Sequence, residues 1–489
     1  MPIKIQEILI NVFLRPIAKI TKKISEKQKN ALYVFGIVLL IMLQFVNSSG
    51  IIYLRFLFLF VPFCISFALM IIGGLQTDIK IVKFNLPLSI CWYGMVFCML
   101  LSGLIVSLDY LAHAIIWGII FPVFFLVWSN NDYRKLINLT TLGVEISFLV
   151  FLIINFFFFE FSTSEYRGLF LNPNGSGAYC AIVFICSLFK ALNSTTGIKS
   201  VLFHCFILGS SFANIMYSSS RGSMVAIFGA FLFAIVPFGI INRAKIKTFL
   251  LKKLLPIGLS LTLIFAIFPV IFSFGYMALQ CLHDNIIIKT INNNIEKYPN
   301  ALSIIPRGIN TKDEQLDLDS SDNKNNQTND GVFDRIIGQF KTDGDLSGFS
   351  NGRVGLWKLY SKELSILGNP TDKVIINDFG EVETRESHLT HLQFSYEFGI
   401  FTGLFFLAFN IISAIYALKF FVKNKGKRHS SFHIIVAVGY GILSLIEVMM
   451  SPVTRLIVTI YLLSQTHIIT NQLDEKNSNN VNISTKESV

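Results

Sequence analysis

Residues 85–107, NLPLSICWYGMVFCMLLSGLIVS, contain no charged side chain. A helix of that length, at about 1.5 Å per residue, is long enough to cross roughly 30 Å of hydrocarbon. Working outward, the same kind of run recurs along the chain. Spans are expected near 31–47, 51–73, 85–107, 109–128, 137–159, 176–192, 198–217, 223–242, 249–275, 392–420, 431–449 and 453–471. The composition agrees: 53% of the 489 residues are hydrophobic, 15% are charged, and phenylalanine occurs 48 times. A soluble chain of this size would need more polar surface, and a transmembrane barrel would alternate over short segments instead. Backbone polar groups in lipid are satisfied only by helices or closed barrels. The expected fold is therefore an all-α polytopic membrane protein with about 12 transmembrane helices.

Charge orients the spans. One set of connections holds Lys4, Arg15, Lys19, Lys22, Lys23, Lys27 and Lys29, then Lys80 and Lys83, Arg134 and Lys135, and Lys190 and Lys199. It continues with Arg243, Lys245, Lys247, Lys252 and Lys253, then Lys419, Lys423, Lys425, Lys427 and Arg428, and ends with Lys476 and Lys486. The alternate short connections hold only Arg167, Arg221 and Arg455. Cytoplasmic loops carry the excess of Lys and Arg, so the first set and both termini read as cytoplasmic. The formal charge of +11 thus reflects membrane sidedness, and nucleic acid is not an expected partner. Residues 1–30 read as a cytoplasmic N-terminus without a cleaved signal. Residues 31–275 carry the first nine helices, 276–388 a large loop on the far side, and 389–471 the last three. The middle of the loop, DLDSSDNKNNQTNDG (317–331), and the tail 472–489 read as disordered. Six of the seven cysteines fall in apolar spans and Cys281 in the loop, so no disulfide framework or metal pattern is visible.

The far-side arginines stand out against this pattern. Arg221 lies in YSSSRGSMVAIFGAF (217–231), Arg167 in EYRGLFLNPNGSGAYC (165–180), and Arg353 in FSNGRVGLWKLYSKEL (349–364). Val354, Leu356, Trp357, Tyr360 and Leu364 recur at helical spacing, which predicts an amphipathic helix on the membrane surface, capped by Ser350 or Asn351. Guanidinium groups grip phosphate bidentately, so several at one membrane face could hold a lipid diphosphate. The plainer reading is that each arginine is an interfacial anchor. His388 and His391 sit in ESHLTHLQFSYEFGIFTGLFFL (386–407), where the tenth helix is expected to begin with Ser387 as N-cap. On a helix they would share a face, and either could take a proton from a hydroxyl at neutral pH. The alternative is a pair of polar interfacial residues. Arg55, His113, Glu145, His204, Glu397 and Glu447 fall within spans and are expected to face the bundle interior.

Three patterns together resemble the O-antigen ligase and O-antigen polymerase superfamily of bacterial surface polysaccharide assembly. They are GLFLNPNGSGAY (168–179), SSSRGS (218–223), and NGRVGLW (351–357) followed by a histidine and EFGI (397–400). The ligase histidine pattern aligns on His388, with Gly399 and Thr402 in register, and departs at Leu389, where a ligase has a polar residue. The resemblance implies a metal-independent, inverting glycosyltransferase of the inner membrane, working at the periplasmic face without a cofactor. Its donor would be a glycan on undecaprenyl diphosphate, and its acceptor another lipid-linked glycan for a polymerase or lipid A-core for a ligase. Leu389 tilts the choice toward polymerase. Arg221 and Arg353, with Arg167 as a third candidate, would hold the diphosphate, and His388 would be the general base. Asn172, Asn174, Trp357 and His391 would support them. A lipid-linked oligosaccharide flippase, with a similar number of spans and the same lipid, is the reading from another class.

Overall fold

The computed structural model describes the chain apart from residues 49–55, 162–165, 195–197, 242, 244–245, 284–352, 372, 377–381, 384–385, 425–427, 454 and 471–489. Arg55, Ser350, Asn351, the polar middle of the long loop and the C-terminal tail lie outside the described residues.

The protein is an all-α polytopic membrane protein. Among the described residues nine helices are long and apolar enough to cross a membrane, and two shorter apolar helices accompany them. In chain order the first elements are α1 (Ile3–Ile8), α2 (Arg15–Thr21), α3 (Glu26–Ser48), α4 (Phe56–Gly74), α5 (Leu86–Ile105), α6 (Tyr110–Ile115) and α7 (Phe121–Trp128). Then come α8 (Tyr133–Phe158), α9 (Pro173–Asn193), α10 (Ile198–Ser218), α11 (Arg221–Ile241), α12 (Ile246–Phe249) and α13 (Leu255–His283). Beyond residue 352 follow α14 (Arg353–Lys362), which lies within the long loop, then α15 (Thr390–Phe398), α16 (Ile400–Lys423), α17 (Ser431–Ser444), α18 (Leu456–Ser464) and α19 (Thr466–Ile469). Single π-helical turns join α1 to α2, α6 to α7 and α12 to α13. A short ribbon pairs β1 (Ile375–Ile376) antiparallel with β2 (Val382–Glu383).

Helix starts follow the local chemistry. Asn85, Asp132 and Asn172 cap α5, α8 and α9, each accepting a backbone N–H of the first turn on its side-chain oxygen. Between helices in lipid the gain comes from close packing and ring contacts, because lipid tails are as apolar as the side chains. The centre is accordingly aromatic. Trp92 and Trp117 lie 5.1 Å apart, and Trp92 also meets Phe125 and Phe409. Trp92 Nε1 donates to the Trp117 carbonyl oxygen at 2.8 Å, which gives the buried indole its partner.

The lysine-rich connections gather at one end of the bundle. Lys29 Nζ donates to the Leu75 carbonyl (2.8 Å), Lys190 Nζ to Asn138 Oδ1 (2.9 Å), and Lys135 pairs with Glu26. At the same end α1 and α2 dock on the connection before α5. Gln6 Nε2 donates to the Val82 carbonyl (2.9 Å), and the Val82 amide donates back to Gln6 Oε1 (3.0 Å). Ile10, Leu14 and Ala18 are buried, while Ile3, Ile8, Val12, Phe13, Ile17 and Ile20 stay exposed among basic residues. Such a helix suits the interface between headgroups and acyl chains. The basic N-terminus thus carries structure that its composition alone did not announce.

Three expectations need correction. The tenth span is two helices, α15 and α16, broken at Gly399 (φ +95°). A Cβ there would strike the Ile366 carbonyl oxygen, and one on Gly368 (φ +87°) would strike that of Glu397, so the two glycines let two backbones cross. The crossing is tied by Ile400 N to Ser365 O (3.0 Å) and Asn369 N to Tyr396 O (3.0 Å). Second, α17 ends at Ser444, so Glu447 lies in the non-helical stretch between α17 and α18 rather than within a span. Third, α14 ends at Lys362 and packs on the protein. Leu356 and Tyr360 are buried, and Tyr360 meets Tyr396 of α15 at 4.9 Å. Its buried face therefore covers α15.

Candidate functional site

At the end of the bundle opposite the lysines, α9, α11, α15 and α18 begin. The α10–α11 connection is only Ser219 and Ser220, and Ser219 takes a left-handed backbone (φ +55°) to make it. Arg221 is then the first residue of α11, and Ser220 and Ser223 share a hydroxyl–hydroxyl bond of 2.9 Å. A Cβ on Gly177 of α9 would strike Ser220 and Ser223, so these two helix N-termini lie against each other. Each brings a partial positive charge to the same place.

Glu447 is the hub. Arg353 Nη2 donates to its Oε1 at 2.9 Å, and His388 Nδ1 lies 3.2 Å from its Oε2. Thr390 Oγ1 donates to the Glu447 carbonyl (2.8 Å) and accepts from Met449 N (2.8 Å), which fastens the non-helical stretch to the start of α15. Gly222 lies against it as well, since a Cβ there would come within 3.9 Å of Glu447 Cγ. Arg221 is close enough to Arg353 for the two like charges to act on each other. The structure thus brings Arg221, Arg353 and His388 together around one carboxylate. With Nδ1–H donating to Glu447, the lone pair of His388 lies on Nε2, free to accept a proton.

The histidine pair is not as the spacing suggested. His388 precedes α15 in a left-handed backbone (φ +52°), Leu389 takes the N-cap position, and Ser387 makes no helix cap. The Ser387 hydroxyl instead donates to the Leu389 carbonyl at 3.1 Å. His391 is inside α15, packed on Phe406 with Nε2 3.1 Å from Asn410 Nδ2. The two rings share no face. A non-glycine residue in left-handed backbone carries strain, and both His388 and Ser219 adjoin the charged cluster.

The supporting candidates are spread around this end. Asn172 Oδ1 accepts from Asn174 N (2.8 Å), so Asn172 starts α9. Arg167 is exposed in the turn before it, with Nη1 donating to the Leu171 carbonyl at 3.4 Å. Trp357 lies one turn along α14 from Arg353, and its Nε1 is buried with no hydrogen-bond partner among the described residues. Arg455 had counted only toward sidedness. It heads α18, and a Cβ on Gly175 would come within 3.9 Å of its Nη1. Among the described residues no group of three or more His, Cys, Asp or Glu is placed to hold a metal ion.

The intramembrane residues resolve into pairs. His204 Nδ1 meets Glu145 Oε1 at 2.7 Å, joining α10 to α8. The His113 ring packs on Phe398 at 5.4 Å. Glu397 Oε1 accepts from Gln393 Nε2 at 2.8 Å. It borders a pocket of about 420 Å³ with Tyr110, Tyr360, Lys373 and Tyr396.

Helix composition and arrangement define the class: a polytopic helical membrane protein with a charged site where the backbone leaves helical form. No family model, curated protein or solved structure matches the chain.

Proposed function

We propose that the protein is a glycosyltransferase of the bacterial inner membrane that moves a glycan from undecaprenyl diphosphate to a glycan hydroxyl at the periplasmic face. The observation that carries this reading is the Arg353–Glu447–His388 constellation with Arg221 beside it. On this reading the acceptor hydroxyl oxygen attacks the anomeric carbon while the bond from that carbon to the diphosphate oxygen breaks. His388 Nε2 takes the hydroxyl proton, and Glu447 steadies the imidazolium. The bonding pair leaves with undecaprenyl diphosphate, whose growing charge meets Arg221, Arg353 and the helix N-termini. A single displacement of this kind inverts the anomeric configuration.

Twelve crossings, both termini in the cytoplasm and a periplasmic 276–388 loop belong to the same reading, supported by the Lys/Arg bias. A cysteine replacing Asn325 should then react with an impermeant maleimide in cells whose outer membrane alone is opened. Reaction only after the inner membrane is ruptured overturns the layout.

Leu389 inclines the reading to a polymerase whose acceptor is a second lipid-linked glycan. The alternative acceptor is lipid A-core. Purified protein in lipid nanodiscs, given lipid-linked repeat units alone, should lengthen them into a ladder without added cofactor or metal. Product only when lipid A-core is added makes it a ligase. No product in either mixture removes the transferase reading and favours a lipid-linked oligosaccharide flippase.

A further inference from the structure

One cavity beside the cluster has no part in the chemistry above. It lies between Tyr360 of α14, Pro370, Thr371 and Lys373–Ile375, Tyr110 of α6 and one face of α15 that carries Gln393, Tyr396 and Glu397. Its volume, about 420 Å³, falls within the range of small-molecule sites. Thr390, Gln393 and Glu397 succeed one another at helical spacings of three and four, so one stripe of α15 runs from Glu447 to the cavity. Gln393 ties the two places directly. Its Oε1 accepts from the backbone N–H of Ser387, which precedes His388 (3.1 Å), and its Nε2 donates to Glu397 Oε1 (2.8 Å).

The walls are fixed independently of any ligand. Asn369 Nδ2 donates to the carbonyls of Glu363 (2.9 Å) and Tyr396 (3.0 Å), and the Tyr110 hydroxyl donates to the Asn369 carbonyl (2.6 Å). Lys373 is neutralised by Glu363 at 2.7 Å and also donates to Asn369 Oδ1. Inside these walls Tyr396 is 93% buried and forms part of the lining.

We propose that this cavity is a sugar-binding subsite that seats one neutral pyranose ring beside His388, which on the transferase reading belongs to the acceptor glycan. The chemistry selects a sugar over the alternatives. Tyrosine rings present apolar surface to the C–H face of a pyranose, while the second amide hydrogen of Gln393 and the Glu397 carboxyl offer a donor and an acceptor to its hydroxyls. An acyl chain would leave those polar groups unpaired. A phosphate would meet Glu397, with the one nearby lysine already engaged.

The test uses full-length protein in nanodiscs and the free oligosaccharide released by mild acid from the lipid-linked repeat unit. Saturation-transfer NMR should detect binding to the wild type and to His388→Ala. Tyr396→Ala removes a ring from the lining and should weaken binding about three- to tenfold. Glu397→Gln keeps the shape and should weaken it similarly. In turnover, both variants should raise the acceptor KM far more than they lower kcat, and leave the donor KM alone. Equal oligosaccharide binding by wild type and both variants overturns the subsite, as does an unchanged acceptor KM. Variant-sensitive binding in a protein that transfers nothing supports the subsite and removes the transferase reading instead.

Discussion

Replacing His388 with alanine should lower glycan transfer by about 10² to 10⁴, the usual contribution of a positioned general base. On a gel the polymer ladder disappears while protein level and membrane insertion hold. The imidazole reaches Glu447 through Nδ1 at 3.2 Å, so its loss removes both the proton acceptor and one of the two partners of that carboxylate. Glu447→Gln is the informative companion. It keeps the shape of the carboxylate but withdraws the charge that would stabilise imidazolium, so activity should fall without vanishing. His391→Ala should behave in the opposite way. That ring is buried against Phe406 and bonded to Asn410, so its removal should cost about 1–3 kcal/mol of stability. Thermal unfolding should shift while kcat changes little. A normal ladder from the His388 variant would end the general-base mechanism.

The second large effect concerns the arginines. Arg221→Lys and Arg353→Lys should each cost on the order of 10²-fold or more in transfer, comparable to losing one preorganised donor at a charged transition state. Lysine keeps the charge and loses the planar fork that grips two oxygens at once. The conservative change is the right one at position 353, because alanine would also strip Glu447 of its partner at 2.9 Å. Full activity in both lysine variants, measured by ladder formation from lipid-linked repeat units, would remove the diphosphate clamp. Arg167→Lys should do less, since that side chain is exposed and bonded to a neighbouring carbonyl.

The membrane helices were legible because hydropathy records the cost of placing side chains in lipid, and charge-free runs such as 85–107 leave little choice. Hydropathy does not record where an apolar backbone stops being helical. LIEVMMSPVTRL (445–456) is as apolar as a span end, so the break that sets Glu447 between Arg353 and His388 stayed hidden, with Pro452 its one local signal. The break at Gly399 was visible only as a glycine within an apolar run. His388 and His391 misled for a related reason: helical spacing was applied across a residue with positive φ. Arg221, Arg353 and His388 were readable as residue types out of keeping with their setting. The partner shared by Arg353 and His388 was not, because Glu447 lies 94 positions from the first and 59 from the second. The cavity by Tyr396 is assembled from four separate stretches and leaves no mark in any of them.

The chain from Leu456 to Thr470 is buried along its whole length. It holds polar groups that much earlier segments leave open. Gln44 accepts from Leu456 N (2.7 Å), Ser413 donates to Gln465 Oε1 (3.0 Å), and Asn85 N donates to the Ile469 carbonyl (2.7 Å). His467 Nε2 lies 2.9 Å from the Asn131 carbonyl. These partners are all translated before residue 456 leaves the ribosome. Until that segment enters, the earlier helices leave those groups without these partners, so it serves the bundle as a keystone. A chain cut short before Leu456 would leave them unmet within the membrane.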